Sequence, residues 1–295
     1  MIVLLAAASF AADVDRVPED FPTLQAAIDG GSAPVIELGP GSWAGATVTR
    51  PVQIVGVDGP AITSGPMVRG VRVGLALTGA ADDTHVEGVI FDCSSPKLDL
   101  GVFASAARLG GSPDRVTVAY NLFYECAQGV TNAGAPVTSC DDERVDGGDD
   151  WLIEGNAFEG IVARSDRGAS GGGNGIVVHN ARGAEVHANQ FLGDVASSGA
   201  FLTSGVMLSG CFDCTVADNV FQTSGGSAWW TGVANLGAFL RDGAASRNVV
   251  LAGNDASGDG ARTAWVSLDS VGTDLVDNAG VAFVEHRTCG DGATR

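Results

Sequence analysis

The chain has 295 residues and a net charge of −19, from 35 acidic side chains against 16 basic ones. That balance repels the phosphates of nucleic acid and an anionic membrane, and leaves cations, neutral glycans or simple solubility as its uses. Apolar residues at 45% exclude a disordered chain, and 43 glycines without a collagen period call for many tight turns.

Residues 1–12 are apolar and end in small side chains, as in a secretory signal cut after Ala11 or Ala12, although the usual basic start is missing. A buried first strand is the alternative. No later stretch reaches the ~18–20 apolar residues of a membrane span. The six cysteines (Cys93, Cys126, Cys140, Cys211, Cys214 and Cys289) are an even number, which fits an exported protein with disulfides. The expected location is therefore secreted or at the cell surface, extracellular or periplasmic.

The first element expected is a helix over Asp20–Gly30. Asp20 is placed to cap it, Pro22 suits its first turn, Gly30 ends it, and Phe21, Leu24 and Ile28 share one face. A lone amphipathic helix ahead of strands reads as a lid on an open hydrophobic end. Short strands follow at Val35–Leu38, Ala46–Thr49 and Val52–Gly56, with the turn Gly39-Pro40-Gly41 between the first two.

From there one unit recurs: an aliphatic, two variable residues, Asn, one residue, Phe. Copies lie at Val118–Phe123, Ile153–Phe158, Val186–Phe191 and Val216–Phe221. Val86–Phe91 has Val at the Asn position, and Leu251–Asn254 and Leu275–Asn278 lack the Phe. The Asn-to-Asn steps are 35, 33, 30, 35 and 24, so constant strands are joined by variable loops. A strand that cannot bury its apolar face alone does so by stacking on its copies about 4.8 Å away. Alternation puts Ile176, Val178, Val206 and Leu208 inside. Asn is expected to take the left-handed bend and form an amide ladder, with Phe stacking behind it. The fold expected is all-β, a right-handed parallel β-helix of eight to nine rungs with an N-terminal capping helix. It would fill residues 13–287 as one domain, ahead of a loose tail at 288–295.

The opening order DFPTLQAAID, VIEL, GPGSW and PVQIVG resembles the entry to pectate-lyase-like and pectin-esterase-like chains. The resemblance implies the same right-handed helix, with Asn and aromatic stacks. It carries no catalytic residue across. The Gln, Asp and Arg motifs of the esterases and the Gly-His-Gly segment of the polygalacturonases are absent from this sequence. Pectate lyases use an arginine base beside carboxylate-bound Ca²⁺, and here Arg164 and Arg167 follow an acidic stretch.

That stretch, Cys140–Trp151, supplies the candidate metal ligands Asp141, Asp142, Asp146, Asp149 and Asp150. Clustered carboxylates near Gly turns can hold Ca²⁺, although the spacing is not that of an EF-hand, and a solvated loop is the alternative. Adjacent pairs such as Asp82-Asp83 point to opposite faces of a strand and make no glycosidase dyad alone; Glu185 with Asp218 is a further pairing to test. Trp229 and Trp230 can stack on sugar rings, and with Arg164 and Arg167 they are the candidate substrate-binding residues. Cys211 and Cys214 can bridge locally or join His179 and His187 around Zn²⁺. Cys126 can pair with Cys93 or with Cys140.

The expected function is an exported β-helix that binds a polysaccharide or a cell-surface partner without a catalytic motif. The alternatives are a polysaccharide lyase or glycoside hydrolase acting on an acidic glycan, or a purely structural surface protein.

Overall fold

The computed structural model describes residues 13–134, 148–163, 173–195, 203–224, 230–236, 246–258, 265–268, 273–280 and 282–285. The expectations for the signal segment and the tail lie outside these residues. The chain winds as a right-handed parallel β-helix, and each turn adds a strand to one or more of three parallel sheets. Among the described residues the first sheet has ten strands, from Val14–Val17 to Asp274–Val276, and the second has seven, from Ser42–Ala44 to Val220–Ser224. The third runs from Ala46–Val48 through Gln128–Ala133, Asn174–His179 and Thr203–Ser209 to Ala282–Glu285. Val14–Val17 pairs with Val35–Leu38, so the first sheet begins ahead of the helix.

The register explains the repeated aliphatics. Ile54, Val86, Val118, Ile153, Val186, Val216 and Leu251 align rung upon rung in the first sheet, all at most 1% exposed. Ile176, Val178, Val206 and Leu208 are buried in the same core, as alternation required. The Phe residues form a second column. Phe91, Phe123, Phe158, Phe191 and Phe221 stack at 4.7–4.9 Å with rings within 9° of parallel. That separation is the strand spacing itself, so each ring lies flat on its neighbour across one rung.

A third column was not foreseen. Gly74, Gly101, Gly129, Gly175 and Gly205 each sit where a Cβ would collide with one ring of the Phe stack. Glycine there is required by close approach, since the third sheet bends against the aromatic column at that point.

The cap differs in detail from expectation. The helix is Leu24–Gly30, and its N-cap is Thr23, whose hydroxyl accepts from the Ala26 N–H. Asp20 instead accepts from the Arg16 N–H at 2.9 Å, so it closes the turn before the helix. Leu24 and Ile28 are buried, and Phe21 packs on the core. The Arg50 guanidinium donates to the carbonyls of Ala27 and Ile28, at the negative end of the helix. At the opposite end Leu275 is 37% and Val276 47% exposed.

Both open cysteine questions close among the described residues. Cys93 is bonded to Cys126, stapling adjacent rungs, which excludes Cys126 with Cys140. Cys211 is bonded to Cys214 inside the core. This overturns the Zn²⁺ reading, because both thiols are consumed. His179 and His187 moreover lie in strands of different sheets, the third and the first.

Candidate functional site

Three corners join the sheets, and each has its own chemistry. Between the first and second sheets the connection is two residues long from the strand His85–Glu87 onward: Gly88-Val89, Tyr120-Asn121, Gly155-Asn156, Ala188-Asn189 and Asp218-Asn219. The Asn side chains form the expected ladder. Asn121 donates its backbone and side-chain N–H to Oδ1 of Asn156, at 2.9 and 3.1 Å, and Asn156 does the same to Asn189. The pattern continues through Asn219 and Asn254 to Asn278. Each amide also donates to an aliphatic strand carbonyl, such as Asn189 to Ile153 at 2.9 Å. The Asn does not take the left-handed bend. The residue before it does, with φ of 55° at Tyr120 and Ala188, 56° at Asp218 and 61° at Gly155. The amide is thereby left free to bond along the stack.

Between the third and first sheets a second ladder stands at the surface. Asp82 accepts from the Asp114 N–H, Asp114 from the Asp149 N–H and Asp149 from the Arg182 N–H, at 2.9–3.0 Å. The next position is left-handed from Asp83 onward: Asp83, Arg115, Asp150, Gly183, Asp213 and Asn248. Arg115 bonds Asp83 at 2.6 Å. That bond, helped by the charge of Arg115, holds the Asp83 carboxyl below its usual pKa and raises that of Arg115. The candidate ligands Asp149 and Asp150 thus lie in this corner, where Asp149 accepts a neighbouring N–H. Asp141, Asp142 and Asp146 lie outside the described residues. No group of three or more His, Cys, Asp or Glu suited to a metal is found among the described residues.

The other carboxylates are dispersed. Glu185 is exposed on the first sheet, while Asp218 sits at a corner with its carboxylate against Gly253, so the two are not brought together as a dyad. His187 bonds Glu154 at 3.2 Å and His85 bonds Glu87 at 2.9 Å, all four pointing out from the first sheet. On the second sheet Tyr124 lies among acids. The charge of Glu125, a hydrogen bond to it, burial, and then Glu159 and Asp92 raise the Tyr124 pKa.

The connections that vary most in length border the third sheet. They run from Glu159 to Asn174, Asp194 to Thr203 and Ser224 to Trp230 on entry, and from Ala133 to Leu152 and Leu236 to Val250 on exit. The candidates Arg164, Arg167 and Trp229 fall in entry connections and lie outside the described residues. Trp230 begins a third-sheet strand, its backbone in register with Thr203. Several polar side chains of this sheet are buried and bonded to one another: Thr131 donates to Gln128 Oε1 at 2.8 Å, and the Ser204 hydroxyl to Asn174 Oδ1 at 2.8 Å. No described third-sheet strand before Ala282–Glu285 contains an Asp or Glu. Sequence reasoning missed this because a sheet without carboxylates is visible only once the strands are assigned to sheets.

No helix among the described residues is long and apolar enough to cross a membrane. No protein-family model and no curated protein matches the sequence. Among solved structures the chain is similar to an alginate lyase from Paenibacillus sp. str. FPU-7, with a TM-score of 0.48 and 16% identity over 90% of this chain and 96% of that one. It is similar to the catalytic domain of a GH87 α-1,3-glucanase, with a TM-score of 0.47 and 9% identity over 94% of this chain and 60% of that one. It is also similar to the Streptococcus pneumoniae surface protein and adhesin PfbA, with a TM-score of 0.40 and 12% identity over 85% and 68%. At such identities and TM-scores these likenesses assign no residue or reaction to this chain.

Proposed function

We propose that the protein binds a polysaccharide along the outer side of the third sheet, in an exported setting that its two described disulfides suit. The observation that carries this reading is that the longest connections, such as Ala133 to Leu152 and Glu159 to Asn174, border that one sheet, while the opposite corner keeps short turns, of two residues from Gly88-Val89 onward. A rigid stack with its loops gathered on one side is the usual arrangement of a binding face. A repeating track of rungs suits a repeating polymer. The described third-sheet strands before Ala282–Glu285 carry no Asp or Glu, which favours binding over glycoside hydrolysis, a reaction that needs two facing carboxylates. Trp229, Trp230, Arg164 and Arg167 belong to this proposal as entry-side contacts, and Asp141, Asp142, Asp146, Asp149 and Asp150 as the exit-side Ca²⁺ candidates.

The test is incubation of the purified protein with neutral and anionic polysaccharides, with and without Ca²⁺. Retardation in affinity electrophoresis is expected with at least one polymer, without new reducing or unsaturated ends. New ends would replace the binding reading with the lyase or hydrolase alternative, and no retardation by any polymer would remove both.

A further inference from the structure

One part of the described surface gathers four basic side chains. The hairpin in which Met67–Val68 pairs with Val71–Arg72 folds over the outer side of the third sheet. Together with the strand Leu100–Ser105 and the short helix Ala106–Leu109 it encloses a second apolar cluster, built on Val68, Val71, Leu100 and Phe103. Arg69 stands at the hairpin tip, Arg72 at its base, Lys97 just before the neighbouring strand, and Arg108 on the helix with its guanidinium 5.9 Å from the Phe103 ring centre. Arg69, Lys97 and Arg108 are exposed and Arg72 is half-buried.

Asp99, 1% exposed, lies beneath this rim and accepts the Arg72 backbone N–H at 3.0 Å. None of the four basic side chains is in an ion pair among the described residues. Arg16 and Arg115, on other faces, are paired with Glu37 and with Asp82 and Asp83. Met67, 55% exposed, adds an apolar floor to the rim.

We propose that this rim is the docking surface for an anionic polysaccharide bearing carboxylate or sulfate groups, which enters the third-sheet face from its N-terminal end. The inference rests on the polysaccharide reading above and adds the charge of the ligand and the residues that meet it. A chain of net charge −19 repels a polyanion at long range. At physiological salt that repulsion is screened beyond about 8 Å, so short-range contacts decide. Guanidinium groups pair carboxylate and sulfate oxygens through two parallel N–H bonds, and unpaired ones need not give up an existing partner to do so.

The experiment compares Arg69→Glu/Lys97→Glu with a control carrying the same charge change elsewhere, Arg16→Glu/Arg182→Glu. Polygalacturonate, dextran sulfate and uncharged dextran are the probes, and thermal midpoints confirm that both variants fold. The rim variant is expected to bind the anionic polymers about tenfold more weakly, the control less than about twofold, and any binding of uncharged polymer should not change. The anionic source is read from which of the two polymers is held more tightly. Equal losses in both variants, no loss in the rim variant, or retention of uncharged polymer alone would overturn the inference while leaving the binding function standing. Retention of no polymer would overturn both.

Discussion

The two ladders of this protein solve one problem with different side chains. At the corner between the first and second sheets, buried Asn amides each donate and accept, so Asn121 to Asn278 form a chain in which every oxygen meets an N–H. At the corner between the third and first sheets, Asp82, Asp114 and Asp149 also accept the N–H of the next rung, but a carboxylate has nothing to donate. Like charges one rung apart are tolerable only in water and near a cation. This Asp column lies at the surface, has Arg115 beside it, and ends on Arg182. A neutral amide can therefore be repeated through the core, whereas a carboxylate can be repeated only at the rim.

The strongest way to break this comparison is to exchange the chemistries. Asn189→Asp would put a carboxylate against the Ile153 and His187 carbonyls in a buried site. A loss of about 3–5 kcal/mol in unfolding free energy is expected, because two donated bonds become repulsions. A denaturant midpoint close to that of the wild type would show that the ladder contributes little.

A smaller effect of opposite sign is expected at the bend before that Asn. Ala188 holds a φ of 55°, which glycine adopts without strain. Ala188→Gly should raise stability by up to about 1 kcal/mol in thermal unfolding, while a substitution that destabilises would mean the alanine methyl packs usefully.

The exchange in the other direction should be mild. Asp114→Asn keeps the acceptor for the Asp149 N–H and removes one of three stacked charges. The expected change is within about 0.5 kcal/mol, and a large loss would show that the Asp column needs its charge.

The least effect is a pH dependence. Arg115 lowers the folded-state pKa of Asp83, so this pair contributes stability above the unfolded carboxyl pKa and loses it as pH falls through the lower folded value. Asp83→Asn should therefore flatten the acid side of the stability profile slightly, below about pH 4. An unchanged profile would mean that solvent already screens the pair.

Much of the architecture was legible because the core repeats at fixed offsets within each unit. Val186 and Asn189 recur as Val216 and Asn219 however long the loops are, and Phe191 and Phe221 follow two residues behind each Asn. The capping helix was legible from its own apolar face, whereas Cys93 with Cys126 was one of two pairings that the sequence left open. The glycine column was harder to read, since Gly175 and Gly205 look like ordinary turn glycines until the Phe ring beside each is known. The left-handed residue was assigned to Asn because Asn tolerates it, yet tolerance was not the need: Asn189 is required for its amide, and Ala188 takes the bend. The acidic residues misled in another way. Asp149 and Asp150 looked like part of a ligand-rich loop, but they match Asp82-Asp83 and Asp114-Arg115 across unequal loops, a correspondence that linear spacing hides.

The three stacked columns also set how this chain can change in length. Asn and Phe are held in phase with the aliphatic column by a connection of two residues, so an insertion there would displace these columns against one another. Removal of one whole period, such as the 30 residues between Asn189 and Asn219, would bring like onto like. The molecule is in this sense digital: it can gain or lose complete turns, and it can vary continuously only along the side where the ligand is proposed to lie.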